Sequence, residues 1–200
     1  TSFQLFAEAH SNLDENNDLD ISLGNWELVT PKQKFRPKML TLKARSNIDT
    51  TQVSFHAGDL ALSLTGSGCI HEMTEKLTMV SDNLTTQLRR DSTINLAVLR
   101  PLLPDVHLEV TAGQDNPIFN YLQNYYVEFN SLTLNAYTSP ETGFCMDAGL
   151  YGLARDTSQL DTIRATVYQD SLSLIYHAEF VKNKYRKQQP FTAGIEGKVS

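Results

Sequence analysis

Apolar and polar residues alternate through most of the chain. In residues 160–180, Ile163, Ala165 and Val167 share one side. After a reversal at Gln169, Asp170 and Ser171 the stripe resumes through Leu172, Leu174, Tyr176, Ala178 and Phe180, with Ser173, His177 and Glu179 opposite. A period of two marks strands with one dry face, and polar residues opposite that face mark antiparallel neighbours rather than a fully buried parallel sheet. The same signal predicts earlier strands through Phe3, Leu5, Ala7 and Ala9, through Leu19, Ile21 and Leu23, through Leu40, Leu42 and Ala44, through Val53, Phe55 and Ala57, and through Leu60, Leu62 and Leu64. Polar turns such as SNLDENND and Gly58-Asp59 separate them, and TPKQKFRPK, with two prolines, predicts a loop.

The period then becomes helical. Met73, Leu77, Val80, Leu84 and Leu88 form one stripe, which predicts a helix over residues 71–90. A second helix is expected over 94–103, interrupted near Pro101 or Pro104, and a third in DNPIFNYLQNYY, where Asp115 or Asn116 caps and Pro117 takes the first helical position. Val106, Leu108 and Val110 form a strand between them, and everything after Val127 alternates again, through Leu132, Leu134 and Ala136, through Phe144, Met146, Ala148 and Leu150, and through Phe191, Ala193, Ile195 and Val199. The expected fold is mainly β with a helical insert: a curled antiparallel sheet, trough or half-barrel, in which 1–69 is a strand block, 70–126 the insert with one strand, and 127–200 a meander.

Two hundred residues suffice for one large domain or a segment of a longer protein. With 40% hydrophobic and 20% charged residues the chain is neither disordered nor membrane-spanning in composition, and no apolar run approaches the roughly 20 residues of a membrane helix. A net charge of −6 gives no general attraction to nucleic acid. The start at TSFQLFAEAH, without Met, and the strand-like finish FTAGIEGKVS suggest a piece cut from a larger protein, so a missing signal or anchor says nothing about the parent.

Catalysis finds no constellation. HEMTE places Glu75 where the zinc motif needs a second histidine, and no GxSxG elbow or GxxxxGK loop occurs. Asp14, Asn16 and Asp18 have calcium-loop spacing, but Leu19 stands where the loop needs glycine and Asn25 where it needs glutamate. The histidines, His10, His56, His71, His107 and His177, fall on polar strand faces or turns. Cys69 and Cys145 form no CxxC pair and read as buried structural thiols, with a single disulfide open in an oxidising compartment. Asn83-Leu84-Thr85 matches the glycosylation triplet but lies within the expected helix. No enzyme, metal or cofactor is expected.

The strings GDLALSLTG, LPDVHLEVTAGQDNPIFNYL and YGLARDTSQLDTI resemble, in order and spacing from about Trp26 to the end, the carboxy-terminal part of TamB-like proteins of the AsmA-like superfamily, particularly the Bacteroidetes forms. That resemblance implies a parent anchored in the inner membrane, a periplasmic segment with an apolar trough (a β-taco), and work on phospholipid acyl chains or with an outer-membrane barrel partner of the TamA or BamA kind. The insert departs from a continuous trough and would close it if its helices filled the concave side. Under this reading the groove-lining residues are Leu132, Leu134, Met146, Leu150, Ile163, Val167, Leu172, Leu174, Phe191 and Ile195; the alternative is that they are plain core. The stripe from Met73 to Leu88 is expected to pack on the sheet or to act as a lid. Two loops gather basic residues around an aromatic, Lys32, Lys34, Phe35, Arg36 and Lys38 in one and Lys182, Lys184, Tyr185, Arg186 and Lys187 in the other, which suits lipid headgroups, an acidic partner or plain solvated turns. The competing expectation is a structural or protein-binding envelope module that recruits strands, including those of a second copy, at exposed edges.

Overall fold

The structure is a computed structural model that describes residues 4–12, 16–24, 28–29, 34–35, 39–91, 94–155, 158–170, 173–183 and 189–199; for 4–12, 16, 28–29, 34–35 and 91 it describes the backbone alone. The strands are β1 (Gln4–Asn12), β2 (Asn16–Gly24), β3 (Leu28–Val29), β4 (Lys34–Phe35), β5 (Met39–Asn47), β6 (Thr50–Ala57) and β7 (Leu60–Ser67), followed by β8 (Val106–Ala112), β9 (Val127–Glu128), β10 (Ser131–Ser139), β11 (Gly143–Arg155), β12 (Ser158–Gln169), β13 (Leu174–Lys182) and β14 (Phe191–Val199). The helices are α1 (Ile70–Asp91), α2 (Leu96–Leu99), which runs on into a 3-10 turn (Arg100–Leu102), and α3 (Pro117–Gln123). β1, β2, β5, β6, β7, β8, β10, β11, β12, β13 and β14 follow one another in one curled, open antiparallel sheet with β1 and β14 at its edges; β3 and β4 pair separately. The expected mainly β architecture with a helical insert is therefore the one observed. The loop expected at TPKQKFRPK contains β4, while its other residues outside Lys34 and Phe35 lie outside the described set.

The strand register explains why the alternation is so regular. Ile21 pairs with Leu42, Leu42 with Phe55, Phe55 with Leu62 and Leu62 with Val110. The line continues from Val110 to Leu134, Ala148, Ala165, Ala178 and Ile195. One residue along each strand, on the opposite face, the corresponding line reads Lys43, Ser54, Ser63, Glu109, Asn135, Asp147, Thr166, His177 and Glu196. A slip of one residue anywhere would put apolar groups in the polar line, so the pattern itself holds the register.

Both parts of the insert attach at strand ends. α1 begins where β5, β6 and β7 meet: the Ile70 amide donates to Ser46 Oγ at 2.8 Å, and Thr51 Oγ1 donates to the Gly68 carbonyl at 2.9 Å. Its stripe departs from the expectation of packing on the sheet. Met73 is buried against Gly66, whereas Leu77 and Leu88 are 53% and 47% exposed. Arg100, in the 3-10 turn, donates to the carbonyls of Pro140 and Glu141, tying the insert to the β10–β11 turn on the same rim. On the opposite rim α3 is capped as its sequence predicts, with Asn116 Oδ1 accepting from the Phe119 amide at 2.9 Å and Pro117 at the first position.

β9 and β10 are two parts of one line of pairing on β11, broken at Phe129 and Asn130. Opposite the break Gly152 has φ +67°, and a Cβ there would overlap the Asn130 amide. Gly152→Ala is expected to cost about 1–3 kcal/mol from left-handed strain and this overlap; a thermal melt of the variant checks it.

Candidate functional site

Three neighbouring lines on one face are apolar from strand to strand. Besides the line through Leu134, one runs through Leu132, Leu150, Ile163 and Phe180, and another through Leu108, Ala136, Met146, Val167 and Tyr176. At the usual strand spacing the band from β2 to β14 is about 43 Å long, and at two residues between lines it is about 14 Å wide. The chain exposes 13166 Å² in all, against about 9,400 Å² for a compact monomer of this mass. Among the described residues, an amphipathic sheet without a second layer over much of it and an α1 exposed along most of its length both add to that area.

The middle of the band is covered. Phe119 of α3 and Phe129 at the strand break are 6% and 1% exposed and meet edge to face with centroids 5.2 Å apart. They are buried with Leu60 and Ala112, and Phe55, Val110, Leu122, Leu132 and Leu150 pack around this cluster. Of the groove residues expected from sequence, Leu132 and Leu150 therefore belong to the covered centre. Leu134, Met146, Ile163, Val167 and Leu174 lie half-buried on the same face. On β14, Phe191 and Ile195 stand 46% and 57% exposed. Leu172 lies outside the described residues. The band also takes in Leu42, Phe55 and Leu62 from the early strands, which a reading confined to the late strands misses although their alternation is equally regular.

A polar latch holds the cover. Asp59, in the β6–β7 turn, accepts from the Asp115 amide at 2.9 Å and from Asn116 Nδ2 at 2.7 Å, while its own amide donates to the Asp115 carbonyl at 2.9 Å. Asn116 is fully buried and also donates to the Gly113 carbonyl at 2.9 Å. Gly58, with φ +66°, lets the turn lie against Asp115, whose carbonyl oxygen a Cβ would overlap. Desolvation pushes the Asp59 carboxyl up, but the hydrogen bonds from Asn116 and from the amides of Asp115, Gly113 and Gln114 together outweigh it and hold the group below its ordinary value. A depressed carboxylate stabilises the fold above its unfolded value, about pH 4, and that contribution is lost as pH falls through the folded value. Asp59→Asn is thus expected to cost about 1 kcal/mol at neutral pH, discounted for solvent exposure, and less in acid. Denaturant melts of both proteins at pH 7 and pH 3 would show the gap narrowing.

The polar face carries two adjoining shallow cavities, of about 350 and 340 Å³. Lys43 and Arg45, which line the first, are paired with Asp20 at 2.9 Å and Asp18 at 3.5 Å. Asp18 thus sits on an extended strand facing a cation, not in a calcium loop, and Asp14 lies outside the described residues. His56, His71 and His177 are exposed, and His107 bonds Asn135 at 2.9 Å; the His10 side chain is not among those described. Both cysteines are free thiols and half-buried rather than sealed as expected. Asn83 donates to the Met79 carbonyl within α1.

The two basic connections, 25–38 and 183–190, leave and re-enter the sheet on the α3 rim. Lys182 stands 6.0 Å above the Phe191 ring, whereas Lys32, Arg36, Lys38, Lys184, Tyr185, Arg186 and Lys187 lie outside the described residues. Among the described residues no helix is long and apolar enough to cross a membrane. No protein-family model, curated protein or solved structure matches the chain.

Proposed function

We propose that this chain is a non-enzymatic, TamB-like segment of an envelope protein that holds phospholipid acyl chains along its apolar face, within the periplasm and in company with an outer-membrane barrel partner. The observation that carries this reading is the unbroken apolar band, over which no helix lies at β12, β13 and β14 among the described residues. Hydrocarbon laid there removes apolar surface from water on both sides, worth about 0.8 kcal/mol for each methylene buried. Among the described residues the insert does not fill the whole face: α3 covers the centre and no helix lies over the flank beyond β11. The second reading, a strand-recruiting envelope module, is favoured by β14, an unbroken nine-residue edge strand with Val199 still 42% exposed.

Lipid extraction and native mass spectrometry of the purified chain decide between them. The transport reading expects co-purifying phospholipid and saturable uptake of a fluorescent fatty-acyl probe. A chain that is free of lipid, takes up no probe and captures strand peptides at β14 would leave the module reading in its place.

A further inference from the structure

β14 turns a whole strand edge to solvent. Its inner edge pairs with β13 without a bulge from Phe191 to Val199, and among the described residues no strand lies beyond it. Every β14 residue except Gly197 is exposed, with Phe191, Ile195 and Val199 at 46%, 57% and 42%. Edges are commonly guarded by a proline, a bulge or a charge aimed at the dry face. β14 holds no proline, and its two charges, Glu196 and Lys198, lie on the polar face, where Asp170 holds Lys198 at 3.3 Å. We propose that β14 pairs antiparallel with β14 of a second copy, with Ile195 on the twofold axis. The inference names the partner in the strand-recruiting reading and rests on that reading.

The sequence of the strand selects both the partner and the register. Centred on Ile195, the whole of β14 is paired, and Phe191 meets the second copy's Val199. Large groups then face small ones. The Tyr176 ring lies over Gly197, where a Cβ would overlap its hydroxyl, and the second copy's Ala193 opposite leaves that ring room. Glu196 stands opposite Gly194, and Lys198 opposite Thr192. Neighbouring registers lose these matches. Centring on Glu196 sets that carboxylate against itself, and centring on Gly194 brings Pro190, which has no amide hydrogen, into the ladder. Centring on Gly197 opposes Glu196 to Lys198 but leaves Phe191 and Ala193 bare. In the chosen register the two Glu196 side chains are diagonal neighbours about 7–8 Å apart, close to one Debye length in physiological salt, so their repulsion is weak. Each also has His177 beside it on β13 and Lys198 two residues along. On the dry face the apolar lines cross the junction: Phe180 and Ala193 lead to the second copy's Gly197 and Tyr176, and Ala178 and Ile195 lead to their own counterparts.

The test is sedimentation of the delipidated 200-residue chain over a hundredfold range of concentration, beside disulfide trapping. A discrete dimer is expected, of micromolar affinity because one strand pair is a small interface. Ile195→Lys and Ile195→Glu are each expected to weaken the dimer at least tenfold with the melting temperature unchanged. Their equimolar mixture is expected to restore it, since pairing at the axis sets one charge against the other. On a Cys69→Ser/Cys145→Ser background, Ile195→Cys is expected to cross-link two copies under mild oxidation, its Cα atoms lying about 4.5–5.5 Å apart. Glu196→Cys, at about 7–8 Å, is expected to cross-link at least tenfold more slowly. The charge-swap mixture gives the same reading should the background without cysteine fold poorly. A chain that stays monomeric throughout overturns the inference, as do undiminished dimers of the single charge variants, a mixture that restores nothing, or faster trapping at Glu196. So does growth beyond the dimer, which would mean β1 of one copy meeting β14 of the next. A monomer that still captures strand peptides at β14 would sink this inference and leave the strand-recruiting reading standing.

Discussion

Phe129→Ala is expected to lower the unfolding free energy by about 3–5 kcal/mol, the range for deleting a buried phenyl ring. Phe129 is 1% exposed, meets Phe119 edge to face and closes the cluster with Leu60 and Ala112. It occupies the one place where the strand line on β11 is interrupted, so neighbouring side chains cannot slide along a regular strand to refill the void. Urea titration should show the midpoint falling. Loosening of α3 carries a second consequence: Leu132 and Leu150 lose their cover, so acyl-probe capacity is expected to rise in whatever fraction stays folded. A drop of less than 1 kcal/mol would mean the ring adds little to holding the cover down.

The second large effect concerns uptake rather than stability. Val167→Asp places a carboxylate in the open part of the band, where bound hydrocarbon would strip it of water. Against an unpaired charge the penalty is several kcal/mol, so probe affinity is expected to fall at least thirtyfold, about 2 kcal/mol. Val167 is already half-buried but not sealed, and the fold should lose no more than about 1 kcal/mol. Thr166→Asp is the control. It lies one residue away on the polar face, between Asp147 and His177 in the register, and should leave uptake unchanged. Equal losses from the two variants would mean that the probe does not distinguish the faces.

The strands were readable because each has one dry face, which makes alternation almost sufficient. α1 and α3 were readable for equally local reasons: a stripe of period near 3.6 in one, and Asn116 followed by Pro117 in the other. What failed was long-range. The spacing of Met73, Leu77, Val80, Leu84 and Leu88 defines a face of α1 but not what that face meets, and only Met73 is buried. The role of Phe129 depends on the break in pairing opposite Gly152, more than twenty residues later. After β12 the Asp170 amide donates to the Ser173 carbonyl at 2.9 Å, and β13 begins at Leu174. Whether a second layer covers an apolar face leaves no trace in the alternation, since a core strand and an open one need the same residues.

Almost every strand of the main sheet hydrogen-bonds to the strand that precedes it in the chain, and the longest excursion, between β7 and β8, returns to the same rim. Such a sheet can zip up from one end as the polypeptide emerges, without waiting for a distant segment to complete it. Length then becomes a matter of how many hairpins are encoded: whole pairs of strands can be added or removed while the remaining lines stay in step, giving evolution a ruler for a distance to be spanned.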